Sequence, residues 1–530
     1  MEQQDLNKRL IMAFVLSFLV FVGYSYMFSS TPPQDTIKSE QTTANNTHQT
    51  PQTPTVNGAT SEAKSSVKTP TVGTSKIVVS VKSNTFKIDI DELGRISQYE
   101  LLEDKYKSKD GKNLKILAPN ETKPLEVRLS DAKLNDEAFK TPYSYSGESL
   151  VDVTIASKTV TLTQKLSTVT ITKIITINPN GSYDIEVKTS SPVAYFITTG
   201  YRPMADSSRY MLVRGALVKT KDGIIKTVED KKAKGDETFD GAVLASAFDR
   251  YVASMFYNFK DGMNVSILKV GEDNPLIFIQ GTQDLKLGGY IGPKEHNILA
   301  SINPELTDAI EFGWFTFLSK PFFHILLAIH NAIGNWGWAI IIFTLLVKLV
   351  LFPLSYKGMM SMQKLKDLAP KMKELKEKYK DDPAKMNMKM MEMYKKHNVN
   401  PMGGCLPMLL QIPVFFALYR VLLNADELQG AVWIGGWIDN LAVADPYYIL
   451  PILMGASMWF QQRITPNNFT DPMQEKIFKW FPVGMALMFI IMPFPSGLVL
   501  YWVVNNLFTI GQQYVINNAY AKHKEAQKNK

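Results

Sequence analysis

Long apolar runs in this chain are confined to residues 10–28 and to the region beyond about Gly313, and that segregation restricts the fold more than any other feature. A run of about 20 apolar residues matches the hydrocarbon core of a bilayer, where a backbone must close its hydrogen bonds within a helix or a closed barrel. The later runs fall at about 336–354, 404–423, 447–460, 477–492 and 496–512. With the first run they predict six transmembrane helices. The stretch between the first and second runs alternates polar and apolar residues as a soluble domain does, so the mean hydropathy of −0.07 averages two different solvents. The expected fold class is a polytopic α-helical membrane protein carrying a large all-β sandwich domain.

Lys8 and Arg9 precede the first run, which exceeds a usual signal-peptide core and ends in bulky Tyr24, Tyr26, Met27 and Phe28 rather than small cleavage-site residues. Residues 1–28 therefore read as an uncleaved anchor. Residues 29–75 are rich in Thr, Ser, Gln, Asn and Pro, with too few apolar groups to offset the entropy of ordering, and read as a disordered linker. Over 76–318 short alternating runs dominate. Val169, Ile171, Ile175 and Ile177 stand against threonines, and Tyr183, Ile185 and Val187 stand against Asp184, Glu186 and Lys188. Such runs, separated by turn signals like Asn178-Pro179-Asn180-Gly181, predict two packed antiparallel sheets. Residues 319–335, with Pro321 in the first turn and Phe322, Ile325, Ile329 and Ala332 at helical spacing, predict an amphipathic helix lying on the membrane surface.

Orientation follows from charge. The net charge of +8 comes from lysines that are not interleaved with aromatic residues, which excludes direct nucleic-acid readout. They crowd the loop after the second span, from Lys357 to Lys396, and recur in the tail over 517–530. The loop after the third span has Asp426, Glu427, Asp439 and Asp445 and no base. Basic loops stay in the cytoplasm, so both termini are placed there, and the β-domain between the first and second spans is placed on the outer side of the membrane.

No cofactor is expected. Cys405 is the single cysteine, which excludes an intramolecular disulfide framework or a cysteine-based metal cluster. The six histidines are scattered, and His324 and His330, the nearest pair, fall on different helical faces.

The basic loop has a pattern of its own. Leu365, Leu368, Met372, Leu375 and Tyr379 step by three and four, as do Met386, Met390, Met393 and His397, while Asp382-Pro383 forms an N-cap and first helical position. An antiparallel helical hairpin over 362–399 is predicted within a core spanning 336–516. Packing between its arms accounts for part of the methionines. Met388 and Met391 fall off the seam, and flexible methionines on an open surface suit a site that accepts many apolar sequences.

Lys348 is the anomaly. It sits about six residues inside the second span, ~9 Å deep, where a charge costs roughly 2.5 to 3.5 kcal/mol unless it snorkels or faces a wet cavity. Thr344 lies one turn away on the same face, Gln411 is placed at comparable depth in the third span, and Asn505, Thr509 and Gln512 form a stripe on the sixth. Asn and Gln in spans are often interhelical glue. Together with a positive charge that no acidic residue of these spans cancels, they predict a hydrated groove open to the cytoplasm that attracts acidic segments. The spans at 447–460 and 477–492 are short, and Pro407, Pro413, Pro451 and Pro482 are expected to interrupt the later helices. Short spans thin a bilayer locally and lower the barrier to a crossing polar segment.

Four segments carry a resemblance over the whole chain: Asn400-Pro401-Met402-Gly403-Gly404-Cys405-Leu406-Pro407, Asp445-Pro446-Tyr447-Tyr448-Ile449-Leu450-Pro451, Thr470-Asp471-Pro472-Met473-Gln474 and Phe494-Pro495-Ser496-Gly497-Leu498-Val499-Leu500-Tyr501. In them the sequence resembles the YidC/Oxa/Alb family of membrane protein insertases, in its Gram-negative form. The resemblance implies a periplasmic β-supersandwich, a five-helix insertase core behind an N-terminal anchor, and a membrane-embedded groove closed toward the periplasm. It implies a non-enzymatic insertase and chaperone for nascent membrane proteins, acting alone or with the Sec translocon, without nucleotide hydrolysis. The family's basic groove residue falls at Lys348 and its polar lining at Thr344 and Gln411. Arginine is usual at the first of these, and lysine keeps the charge while losing the planar fork. Trp502 stands where relatives often carry tyrosine. Because the tail lacks the long basic extension of some relatives, ribosome contact rests on the hairpin, the 470–474 loop and a few tail lysines. Met408, Phe415, Phe416, Met485, Met488 and Phe489 are the expected apolar slide by which a segment reaches lipid.

Two rival functions are weighed. Intramembrane charges also mark transporter paths, but the chain lacks paired halves, a midplane carboxylate and repeated broken helices. Large sandwiches of this type resemble sugar mutarotases, yet no acid–base pair or histidine cluster stands out in 76–303, where a sugar-binding and a purely structural role both stay open.

Overall fold

The computed structural model describes residues 76–530 apart from 108–109, 206–212, 311, 313–315, 398, 400–405, 466–471, 493 and 529–530. The anchor and linker expected over 1–75 lie outside the described residues. Contacts divide the chain into two units. One comprises the described residues up to Leu101 together with Lys115–Gly292, and the other comprises Leu102–Leu114 with Pro293–Lys530.

The first unit holds two sheets of unequal size. Five strands run in the order Leu114–Lys115, Ile96–Leu101, Phe86–Asp91, Ile77–Lys82 and Leu150–Asp152. The larger sheet has twelve strands, among them Lys158–Lys165, Thr170–Ile177 and Ser182–Thr189 as consecutive antiparallel neighbours. The alternation read from the sequence is realised on Thr170–Ile177, where every second residue from Ile171 onward is buried. A short helix, α1 (Ala132–Ala138), is capped by the Asp131 carboxylate, which accepts from Leu134 N at 2.9 Å.

Alternation has one consequence that composition hides: Lys173 falls in the inward register between Ile171 and Ile175. Its side chain is fully buried, with Nζ donating to Gly94 O at 2.9 Å and Leu125 O at 2.8 Å and lying 4.6 Å from the ring centre of Tyr143. Burial pushes its pKa down to about 7. Close by, Arg95 bridges Asp91 at 2.8 Å and Glu126 at 3.0 Å, and Arg128 meets Glu126 at 2.6 Å, all four side chains being buried. A closed network of this kind satisfies its own charges, so losing one member strands the others.

The second unit is helical. Its elements are α2 (His296–Ile302), α3 (Thr316–Ile333), α4 (Trp336–Lys378), α5 (Pro383–Lys396), α6 (Leu406–Asn424), α7 (Ile449–Ile464), α8 (Pro472–Ile491) and α9 (Ser496–Lys528). Helix α9 is central, packing on α4, α6 and α7, while α8 lies on α7 and α3 lies against α4 and α6. Gly455 makes the α7–α8 approach possible, since a Cβ there would sit 2.6 Å from the Cβ of Ala486. Helix α4 is long and apolar enough to cross a membrane, and Gln411–Asn424 forms a shorter apolar stretch.

Several expectations change in detail. The second span and the first hairpin arm are one uninterrupted helix of 43 residues, with Pro353 and Pro370 inside it. Pro321 lies inside α3, not in its first turn, because the helix starts at Thr316. The buried face of α3 is Ser319, Phe323, Leu326 and Leu327, which leaves Ile325 and Ile333 outward. The prolines do not interrupt the later helices: Pro407 and Pro451 occupy first turns, where their missing N–H is harmless, and α6 and α8 continue through Pro413 and Pro482. Helix α8 begins five residues before the expected span and reaches 20 residues, so only α7, at 16, is short. The hairpin turn forms as read, with Asp382 accepting from Lys385 N at 3.0 Å ahead of Pro383.

Within the second unit, the segment 102–114 packs among helical elements remote in sequence. Tyr106 Oη donates to Asp426 at 2.5 Å, Lys105 pairs with Glu295 and lies 3.8 Å from Asp426, and Glu427 accepts from His296 N at 2.8 Å. The His296 ring meets His324 edge-on at 5.2 Å, a pairing that sequence spacing does not reveal.

Candidate functional site

The site is assembled on one face of α9. Tyr501, Asn505 and Thr509 recur every four residues, and Gln512 follows one turn on, so all four point the same way. Helix α4 brings Lys348 to this face. The Lys348 ammonium is buried, with 8% of the residue exposed, and donates to Thr509 Oγ1 at 3.0 Å. Thr509 Oγ1 in turn donates its proton to Asn505 O at 2.8 Å. Thr344, one turn from Lys348, is buried with its hydroxyl bonded back to Ile340 O at 2.7 Å.

Gln411 takes a different place from the one expected. Its amide donates to Tyr501 Oη at 3.0 Å, and Tyr501 stands eight residues from Thr509 along α9, or ~12 Å toward the Ser496 end. Gln411 and Lys348 therefore bond to two separate levels of one polar face and do not share the comparable depth expected of them. Tyr501 was not singled out as a site residue from sequence. Its four-residue spacing from Asn505 is the signal that could have found it.

Two acceptors on this face are unsatisfied: Asn505 Oδ1 and Gln512 Oε1 are buried and have no hydrogen-bond donor among the described residues. An orphaned buried acceptor costs about 1–3 kcal/mol, and such groups mark places where water or a ligand supplies the donor. No Asp or Glu occurs between Glu311 and Asp367, within α6 or α7, or between Lys476 and Lys524. The face thus offers one cation, two open acceptors and no internal counter-charge. Chemically, a cation suits an anion and open acceptors suit donors such as amide N–H groups.

Aromatic packing closes the flank. Trp502 lies 4.9 Å from Phe415 of α6 and 5.2 Å from Phe489 of α8 by ring centres, joining three helices. Met485 and Phe489 are buried in this packing, Phe415 and Met488 are half-buried, and Phe416 is exposed beside it. The side chain of Met408 lies outside the described residues. On α8 the outward apolar groups include Trp480, Phe481, Val483, Leu487 and Ile491.

At the far end of α4 the hairpin seam is a small core of Leu365, Leu368 and Val399, with Met362, Met372 and Tyr394 against it. Met386, Met390 and Met393 are half-buried, while Met388 and Met391 are about half exposed, as their off-seam positions suggested. The hairpin base is fastened to α9 by Asp367, which accepts from Tyr520 Oη and Lys524 Nζ, each at 2.8 Å. Among the described residues no group of three His, Cys, Asp or Glu could hold a metal ion.

Comparison with known proteins covers both units. Residues 328–524 match the family described as 60Kd inner membrane protein, and residues 78–325 match the YidC periplasmic domain. A protein of Campylobacter jejuni named membrane protein insertase YidC is 49% identical over 520 residues, covering 97% of each chain. Proteins of the same name from Wolinella succinogenes and Helicobacter pylori are 48% and 44% identical, covering 99% and 98% of this chain and 97% of each relative.

Proposed function

This chain belongs to the YidC family of membrane protein insertases, non-enzymatic inner-membrane proteins with a periplasmic domain, and we propose that it receives its substrates at the α9 polar face built around Lys348. The observation that carries this reading is the buried Lys348 ammonium, which among the described residues has a hydroxyl partner but no carboxylate. An ion kept in a low-dielectric site without a counter-ion attracts an opposite charge from outside.

In this reading six spans cross the membrane with both termini in the cytoplasm. The hairpin, through Met388 and Met391, takes up an apolar nascent segment delivered by a ribosome. The adjoining acidic stretch is held partway across by Lys348, with Asn505 and Gln512 taking up its amide donors. The apolar segment then passes to lipid beside α6 and α8, over Phe416, Val483 and Leu487. Hydrophobic partitioning drives release, assisted by the membrane potential when the crossing tail is acidic. The Sec translocon is the expected partner for substrates with large translocated domains.

The test is site-specific crosslinking from positions 344, 348 and 411 to a stalled nascent membrane protein, combined with rescue of depleted cells by Lys348→Arg and Lys348→Ala. Crosslinks from all three positions and loss of acidic-tail insertion in Lys348→Ala are expected. Normal insertion by both variants would remove the charge-capture step.

A further inference from the structure

Lysine has a flexible four-carbon stem, and in a membrane its default is to snorkel toward the headgroups, ~6 Å from its own backbone. Here the ammonium is instead drawn sideways from α4 onto α9, where Thr509 is its one acceptor among the described residues. The Thr509 hydroxyl has a single proton, and that proton is committed to Asn505 O at 2.8 Å. Its oxygen is therefore left to accept, and the bond from Lys348 has only one direction. A β-branched side chain tied to its own helix has little rotamer freedom, so the acceptor is fixed before the lysine arrives. Gln512, one turn further along α9, has an open acceptor but is not the group Lys348 has chosen.

We propose that Thr509 is a positioning residue: it holds the Lys348 ammonium inside the polar face, against snorkelling, and so sets the preference for acidic over neutral translocated segments. The proposal rests on the reading of Lys348 as the substrate-receiving charge. It also accounts for lysine at a position where a guanidinium would need less help. A guanidinium carries five donors in a rigid fork, whereas an ammonium on a mobile stem requires an external acceptor to fix it.

The experiment compares insertion of two otherwise identical single-span substrates, one with an acidic translocated tail and one with the acids changed to Asn, in depleted cells expressing the full-length chain. Its readout is the acidic-to-neutral ratio. Thr509→Val keeps the β-branch and removes the acceptor, and the ratio is expected to fall by about tenfold or more, in line with loss of a hydrogen bond to a charged group. Thr509→Ser keeps the hydroxyl and holds the ratio near that of the unaltered chain. A Thr509→Val chain that keeps the ratio while Lys348→Ala loses it overturns the positioning role and leaves the Lys348 reading intact. Proportional loss on both substrates, or equal loss in Thr509→Ser, assigns Thr509 to helix packing and likewise overturns it. If Lys348→Ala itself leaves the ratio unchanged, the reading of Lys348 fails and the proposal falls with it.

Discussion

The Tyr106 phenol donates to the Asp426 carboxylate at 2.5 Å across 320 residues of sequence, deep in a contact that also gathers Lys105, Glu295, His296 and Glu427. The Asp426 side chain is wholly buried. Burial pushes its pKa up to about 6 against a smaller pull from Lys105, and pushes that of Glu427 up to about 7 against the hydrogen bond it accepts from His296 N. Glu103 and Lys294 also act on Asp426, with opposite signs.

The pH dependence of this joint follows from linkage. A carboxyl whose folded pKa exceeds its unfolded value, about 4, binds more protons when folded, so it favours the fold at low pH and loses that contribution as pH rises to 6–7. Thermal unfolding in detergent should therefore show the helical unit gaining stability between pH 8 and pH 5 from these two groups. Asp426→Asn with Glu427→Gln should flatten that slope. Equal slopes in the variant and the unaltered chain would rule out the assignment.

Lys173 predicts the opposite sign in the β-domain. Its folded pKa of about 7 lies below the ordinary lysine value of 10.5. The neutral amine is favoured in the fold, so stability should rise as pH increases from 7 to 10. Lys173→Met should remove that rise, since a thioether of similar length fills the site without titrating. Unfolding monitored by β-domain tyrosine fluorescence at pH 7 and pH 9.5 separates the two, and an unchanged difference in Lys173→Met counts against it.

The Gln411–Tyr501 bond should behave as structural coupling between α6 and α9. Gln411→Leu and Tyr501→Phe should each destabilise, and the double variant should cost about 1 kcal/mol less than the sum, as expected for one shared hydrogen bond. Denaturant titration of all four forms gives the coupling energy directly. Strict additivity would mean that the bond contributes nothing.

Gly455 tests the α7–α8 contact. Gly455→Ala brings a methyl to 2.6 Å from the Ala486 Cβ and should destabilise by roughly 1–3 kcal/mol. Ala486→Gly in the same chain should recover part of the loss. Melting temperatures that do not respond to the second change would place the clash elsewhere.

What the sequence made legible was local. The Asp382-Pro383 cap and the inward alternation of Ile171, Ile175 and Ile177 follow from spacing of two to four residues, and the approach of Lys348 to Thr509 follows from their similar depth in two apolar runs. Spacing failed where a partner is remote. The contact of 102–114 with Asp426 has no local signature, and the true level of Gln411 depends on how α6 slides against α9. Lys173 carries no apolar signature of its own, although the alternation that buries Ile171 and Ile175 turns it inward as well. The continuity of α4 was missed because its composition changes from apolar to basic near Tyr356, although its backbone does not change conformation there.

Mechanically, α4 is a lever. Lys348 and the tip at Lys378 ride on one shaft, ~45 Å apart. Two prolines lie between them, Pro353 five residues past Lys348 and Pro370 eight residues before the tip, and each removes one rung of the hydrogen-bond ladder, so the shaft has two soft turns. A load on the hairpin thus meets one soft turn near the tip and a second beside the ammonium, so a bend at the second shifts the charge itself.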